Sequence, residues 1–313
     1  MTRRVAAGLG RLLPLLLISA AVLVVTGAAL VAACGDSSGG ESPQPTATVT
    51  VTESPSAEPS APGSPASSPS ASPSPETTSL RVYFLRGEEL GVAERRVPQT
   101  TMPATAAVRA LLAGPTADER TAGLGSAVPK GTRLLGLSIE GTTAHVDLSS
   151  RFASGGGTLS MTARVAQVVY TLTRFRTVRS VEFLLDGSPV EALGGEGIVL
   201  TEGQRRADWD SFEPAIFVES PGAGAVLSNP FTLSGTASVF EGSFQARLID
   251  SSGRRIVNAV VQASRGAPGR GRFTKEIAFS TSAAEGTLVV FSQSMEDGSR
   301  QNEVRIPVTF AVD

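Results

Sequence analysis

The sequence predicts an α+β domain, its sheet covered by helices on one face, followed by an all-β sandwich of two sheets, with a disordered Ser/Pro/Thr-rich tether on the N-terminal side. Three observations carry this reading. Between residues 80 and 212, two stretches with apolar residues three and four apart interrupt a series of alternating runs. Between 213 and 313, short β-rich runs recur with turn residues between them and no helical period. From Gly35 to Ser79 there is no aromatic residue, no Leu and no Ile, so this segment cannot bury enough apolar surface to offset the entropy of ordering it.

A chain of 313 residues accommodates two domains of roughly 150 residues, each large enough for its own core. Twenty-seven basic against 29 acidic side chains leave a net charge of −2, with no overall positive field to hold nucleic acid. One Cys and one His exclude an intramolecular disulfide, a Cys-based zinc site and a multi-His metal centre. No metal or cofactor is expected.

The elements follow in order. Arg3, Arg4 and Arg11 precede an uncharged stretch from Leu12 to Ala33, the basic and apolar regions of a secretory signal. Leu30-Val31-Ala32-Ala33-Cys34-Gly35 resembles a bacterial lipobox, which implies cleavage after residue 33 and a diacylglyceryl-type anchor on Cys34, with the mature chain held at the extracytoplasmic face of the cell membrane. The competing reading is an uncut signal anchor, because about 20 apolar residues span a bilayer. The tether, residues 34–79, carries prolines at 43, 45, 55, 59, 62, 65, 69, 73 and 75, which favour extended polyproline II. Its Gly35-Asp36-Ser37-Ser38-Gly39 fits the G-x-S-x-G pattern but has neither strand, helix nor His around it, and reads as spacer.

The first folded unit is expected at 80–212. Leu80 to Leu85 form a strand, and a helix capped by Thr100 or Thr101 runs through Val108, Leu111 and Leu112 to Gly114-Pro115. Leu135, Leu137 and Ile139 alternate, Glu140-Gly141 turns, and Ala144, Val146 and Leu148 alternate again, as in a hairpin. Met161, Val165, Val168, Val169 and Leu172 mark a second helix ending at Arg174 and Arg176. Val181 to Leu185 form a strand, Asp186-Gly187 a turn, and Val190 to Leu193 a short return. Ala110 to Thr116, Val128-Pro129-Lys130-Gly131-Thr132, Val146 to Ser149, Val169 to Thr173 and Asp186-Gly187 together resemble the GerMN domain of sporulation and germination lipoproteins. That resemblance implies an extracytoplasmic domain related to ring-forming modules of envelope assemblies, and brings no catalytic residue.

His145 is the one imidazole, and the alternation sets it with Asp147 opposite the apolar face, as a strand-face polar residue. Glu182 with Asp186, and Asp118 with Glu119, are neighbouring carboxylates read as solvated surface, since glycosidase chemistry needs two across a groove.

The second unit is expected at 213–313. Runs at Ala215 to Val218, Phe231 to Thr236, Phe244 to Ile249, Ile256 to Gln262, Arg272 to Phe279, Thr287 to Ser292 and Glu303 to Phe310 read as an immunoglobulin-like sandwich, with Phe217, Phe244, Phe273, Phe279 and Phe291 filling its core. Gly222-Ala223-Gly224 follows a strand like a dinucleotide fingerprint but leads to no helix. Ser220-Pro221, Gly235-Thr236-Ala237, Val239 to Gly242, Gly271-Arg272-Phe273 and Ser294 to Ser299 resemble Gmad2, the immunoglobulin-like module of bacterial spore germination.

The expected function is that of a non-enzymatic envelope lipoprotein presenting both domains to other envelope proteins or to anionic cell-wall polymers; the alternative is a peptidoglycan-acting hydrolase or wall-modifying enzyme that uses carboxylates. Two arginine sets are the candidate contact residues: Arg174, Arg176 and Arg179 at the end of the second helix, and Arg265, Arg270 and Arg272 on the turns of the sandwich, where loops carry function.

Overall fold

The computed structural model describes residues 76–194 and 197–311. The signal, Cys34, Ser37 and the tether up to Pro75 lie outside the described residues. Among those described, no helix is long and apolar enough to cross a membrane.

The first domain opens with a hairpin of β1 (Thr77–Arg86) and β2 (Glu89–Pro98), followed by α1 (Pro103–Leu112), α2 (Ala117–Thr121) and β3 (Leu124–Gly125). Next come β4 (Leu134–Glu140), β5 (Thr143–Leu148), α3 (Thr158–Thr173), β6 (Ser180–Leu185) and three short strands, β7 (Ser188–Pro189), β8 (Ala192–Leu193) and β9 (Ile198–Val199). The expected single sheet is divided. One sheet has the order β2-β1-β3 and another β4-β5-β6-β7, with β8 and β9 as a separate pair. Helix α3 packs on both β1 and β6, so its middle, Ala163 to Leu172, is buried all round where an amphipathic stripe was expected. Arg164, 1% exposed, donates to the carbonyls of Phe152 (2.6 Å), Ser154 (3.1 Å) and Gly155 (2.9 Å) and so fixes the approach to this helix.

Strand β2 was not foreseen, and its charged side chains explain why. Glu94 and Arg95 both find partners: Arg95 donates to Glu119 and to the carbonyls of Ala110 (2.9 Å) and Gly114 (2.8 Å), and stacks over Phe84. Glu119 is therefore not the solvated carboxylate expected. At 6% exposure it closes the capping box of α2 with Thr116 and ion-pairs with Arg95, tying two helices to β2, whereas Asp118 beside it is exposed. Helix α1 begins after Met102 without a side-chain cap; Thr100 Oγ1 accepts from the Met102 amide at 3.1 Å instead.

The second domain contains β10 (Ile216–Ser220), β11 (Ala225–Leu227), β12 (Phe231–Ala237), β13 (Ser243–Asp250), β14 (Arg255–Gln262), β15 (Gly271–Ile277), β16 (Glu285–Gln293) and β17 (Arg300–Phe310). All seven expected strands are present, and β11 is added, pairing parallel with β17. The strands form two facing sheets, β10-β12-β15 and β11-β17-β16-β13-β14, an immunoglobulin-like sandwich. Phe217, Phe244 and Phe273 lie in the core, and Phe279 is packed against it. Phe291 does not fill it. Its register opposite Gln245 sends it to the outer face, where the guanidinium groups of Arg247 and Arg300 lie over the ring at 5.3 and 4.6 Å, which keeps it 2% exposed away from the core.

Candidate functional site

The two domains belong to one compact unit and share a continuous hydrophobic core. Their seam is built from β1, β2, α3, β10 and the 3-10 segment Arg206–Phe212. The chain has two tyrosines, and both are here. Tyr83, Tyr170 and Phe217 form an aromatic triad with centroids 5.6, 6.1 and 6.0 Å apart. Arg206 lies over both tyrosine rings, at 5.2 and 4.6 Å. Its Nη1 donates to Glu219 Oε1 at 2.6 Å, its Nη2 to Tyr83 Oη at 2.9 Å and its Nε to Thr173 Oγ1 at 3.0 Å. Tyr83 also donates its hydroxyl proton to Glu219, and Tyr170 donates to Glu213 at 2.8 Å.

The electrostatics follow from these contacts. Burial pushes Glu219 up, but the Arg206 guanidinium and the Tyr83 hydroxyl outweigh it, and the carboxyl ends below its usual value. Burial, reinforced by Glu219 and Glu213 respectively, holds Tyr83 and Tyr170 far above the ordinary phenol value, against the pull of Arg206. This arrangement keeps both phenols neutral and the Arg206–Glu219 pair charged, which is a lock rather than an acid–base couple.

Main-chain bonds reinforce the seam. Ala223 N donates to Val92 O and Glu94 N to Ala223 O, both at 2.8 Å, so the loop after β10 occupies the free edge of β2. The glycines of Gly222-Ala223-Gly224 have this packing role: a Cβ at Gly222 would stand 3.0 Å from Ala93 C and Glu94 N, and Gly224 has φ +84° with Glu94 O 3.1 Å from its Cβ position. A gap of about 120 Å³ of mixed character remains at the seam, lined by the apolar Leu90, Val92, Ile216 and Val218 and by the charged Arg86, Glu89 and Glu303.

The expected contact residues are placed differently from one another. Arg174, Arg176 and Arg179 are all exposed between α3 and β6, and none makes a side-chain hydrogen bond or ion pair among the described residues; Arg174 adds a stabilising field at Glu219. Arg265 and Arg272 are both exposed, on segments joined across the β14–β15 connection by the bond from Ser264 N to Arg272 O at 2.9 Å. Arg270 is turned inward, against expectation. It pairs with Glu213 at 3.2 Å and donates to Pro214 O, Thr236 Oγ1 and Glu213 O, so it fastens the interdomain segment to the sandwich.

His145 faces outward as its alternation requires, with Nδ1 3.2 Å from Glu182 Oε2 and Nε2 4.0 Å from Glu140 Oε2. Asp147 Oδ1 accepts from Gly187 N at 3.0 Å and so supports the turn at Asp186-Gly187. Glu182 also borders an open polar cavity of about 560 Å³ with Thr143, Ser180, Thr201, Glu202, Gln204, Arg205 and Asp208.

Sequence reasoning missed the lock. Its signal was present: Arg206-Ala207-Asp208-Trp209, just before the expected boundary at 212–213, holds the only Trp of the chain, whereas interdomain linkers are ordinarily polar and rich in Gly and Pro.

Comparison with known proteins bears on both domains. Residues 81–191 match the Germane family of sporulation and spore germination, and residues 215–299 match Gmad2, the immunoglobulin-like domain of bacterial spore germination. Among solved structures, the tandem GerMN domains of the sporulation protein GerM from Bacillus subtilis align at 16% identity over 65% of this chain and 62% of that one, under two thirds of its length, with a TM-score of 0.39. The first GerMN domain of the same protein aligns at 21% identity over 42% of this chain and 100% of that one (TM-score 0.36). A Clostridium perfringens protein classed as a candidate lipoprotein aligns at 19% identity over 44% and 93% (TM-score 0.32). No curated protein matches. The chain thus carries a Germane (GerMN-type) domain followed by a Gmad2 immunoglobulin-like domain, joined through a seam whose Arg206 lies between the two matched spans.

Proposed function

We propose that this chain is an extracytoplasmic envelope lipoprotein, anchored through Cys34, that binds an anionic partner without chemical turnover. The observation that carries the reading is the exposed set Arg174, Arg176 and Arg179, without a side-chain hydrogen bond or ion pair among the described residues, displayed on a body whose two domains are locked together. Arginine that is neither neutralised nor buried attracts carboxylate and phosphate groups and presents them with a planar fork of donors. Arg265 and Arg272 form a second exposed pair on the sandwich. Arg270 is withdrawn from the set because its donors are used at the seam. Teichoic-type wall polymers and acidic faces of envelope proteins are the partner classes this chemistry fits, and the Germane and Gmad2 matches favour a sporulation- or germination-type envelope assembly as the setting.

Incubating the chain with purified cell-wall sacculi tests the reading. Retention on the sacculi with no soluble fragments supports it. Release of muropeptides overturns it in favour of a hydrolase, and Glu182→Gln then shows whether the carboxylates beside the polar cavity are responsible.

A further inference from the structure

The outer face of the five-stranded sheet carries arginines that neither the interdomain seam nor the end of α3 uses. Register places Arg305, Val289 and Arg247 side by side across β17, β16 and β13, Phe291 beside Gln245 in the next row, and Arg300 beside Gln293 in the row beyond. Arg247 therefore reaches Phe291 from one side and Arg300 from the other, and both guanidinium groups lie over its ring. Stacking on a fixed ring pre-sets their orientation.

The charge of this face is unbalanced. Arg247 makes no ion pair among the described residues; its Nε donates to Asn258 Oδ1 at 3.2 Å, and its two terminal nitrogens have no hydrogen-bond partner there. Arg300 and Arg305 share one carboxylate, that of Glu303, at 3.2 and 2.9 Å. Arg255 is exposed on the same face, opposite Ile249. With Glu285 at the far end of β16 included, these four arginines stand against two carboxylates. Between them runs a chain of amides: Asn258 donates to Gln245 at 2.9 Å and Gln245 donates to Gln293 at 3.1 Å. An amide offers donor and acceptor together, the complement of a hydroxyl group.

We propose that this face binds a linear polyol-phosphate polymer, its phosphates on Arg247, Arg300 and Arg305 and its hydroxyls along the amides. The proposal rests on the anionic-partner reading above and assigns a contact to residues outside the set Arg174, Arg176 and Arg179. Charge complementarity selects an anion, because guanidinium forks with free donors take phosphate oxygens in pairs. Shape selects a polymer, since a sheet face is extended whereas small-molecule sites are concave. An acidic protein surface fits less well: protein interfaces are anchored by aromatic side chains that enter the partner, and Phe291 is already covered from both sides, leaving Val260 as the exposed apolar side chain of its row.

Titration calorimetry of the full chain in nonionic detergent against poly(glycerol phosphate), at about 0.1 M salt, tests this. Saturable binding is expected, and it should persist in a chain whose Arg174, Arg176 and Arg179 are changed to Ser. In that background Arg247→Met with Arg300→Met, which keeps the aliphatic stems beside Phe291 and removes the charges, should weaken binding by roughly tenfold or more. Glu303→Gln frees Arg300 and Arg305 and should tighten it about twofold, a gain that arginines serving only to cover Phe291 would not produce. Thermal melts confirm that each variant folds. Absence of binding overturns the proposal. So does binding that is lost with Arg174, Arg176 and Arg179 and is indifferent to Arg247, Arg300 and Glu303, a result that leaves the helix-end arginines as the anionic contact. Equal affinity for polygalacturonate, whose anions are carboxylates, overturns the assignment to phosphate.

Discussion

Replacing Arg206 with Met isolates what the seam contributes, because the aliphatic stem still packs while the charge and its donors are lost. Four hydrogen bonds disappear, to Glu219 at 2.6 Å, Tyr83 at 2.9 Å, Thr173 at 3.0 Å and the Tyr170 carbonyl at 3.4 Å, together with the stacking on both tyrosines. Glu219 is left as a largely desolvated carboxylate held by the Tyr83 hydroxyl and the weaker field of Arg174. Breaking a buried pair from one side costs about 3–5 kcal/mol, and the 29% and 23% side-chain exposure of Arg206 and Glu219 favours the lower end. Adding a few tenths to about 1 kcal/mol for each stacking contact gives a loss of about 4 kcal/mol. For a folded unit of this size, 1 kcal/mol corresponds to roughly 2–4 °C in melting temperature, so a fall of about 10 °C is expected. Calorimetry of the chain and the variant measures it. Adding Glu219→Gln to Arg206→Met should recover part of the loss by removing the stranded charge. A shift below about 2 °C, or a double variant as unstable as the sum of its parts, would refute the claim that the pair locks the domains.

Further outcomes follow from the same geometry. Gly224→Ala forces a side chain into a φ of +84° against Glu94 O, at a cost of about 1–2 kcal/mol; hydrogen exchange at the Glu94 amide, which bonds to Ala223 O, should quicken while the sandwich core stays protected. Tyr83 and Tyr170 both have folded pKa values raised above their usual 10.0, so the stability they confer is complete below pH 10 and is lost as pH climbs above it. Tyrosinate absorbance should therefore appear together with loss of the folded circular-dichroism signal, and a tyrosine titrating in the intact fold near pH 10 would contradict the seam. Cys34→Ala should release the chain from the membrane fraction or leave it unprocessed, and mass spectrometry finding Met1 intact, or Cys34 unmodified, on the native protein would remove the lipid anchor from the account.

The strands of the sandwich were legible because each has one face in the core, so apolar and polar residues alternate with period two. Strand β2 was not, since its partners come from elsewhere in the chain: Arg95 is neutralised by Glu119 and covers Phe84, and neither contact leaves a mark on local periodicity. Phe291 shows the complementary limit. A large apolar residue in a strand reads as core, but register alone decides its face, and here two arginine guanidinium groups cover it on the outer side. Arg270 and Arg265 stand five positions apart in the same glycine-rich stretch, and only tertiary structure separates the one bound to Glu213 from the one open to solvent. The aromatic lock was half visible, because its tyrosines lie in apolar runs while Arg206 sits in a segment without period.

The proposed role rests on exposed arginines meeting an anionic partner, and the salt dependence of wall binding tests it most directly. The Debye length shrinks from roughly 10 Å at 0.1 M to roughly 3 Å at 1 M salt, so affinity for purified walls should fall steeply across that range. Changing Arg174, Arg176 and Arg179 to Ser should flatten the dependence and weaken binding, and Arg265→Ser with Arg272→Ser should do so to a lesser degree. Binding that ignores salt and survives both sets of changes would contradict the account and leave an apolar surface as the means of attachment.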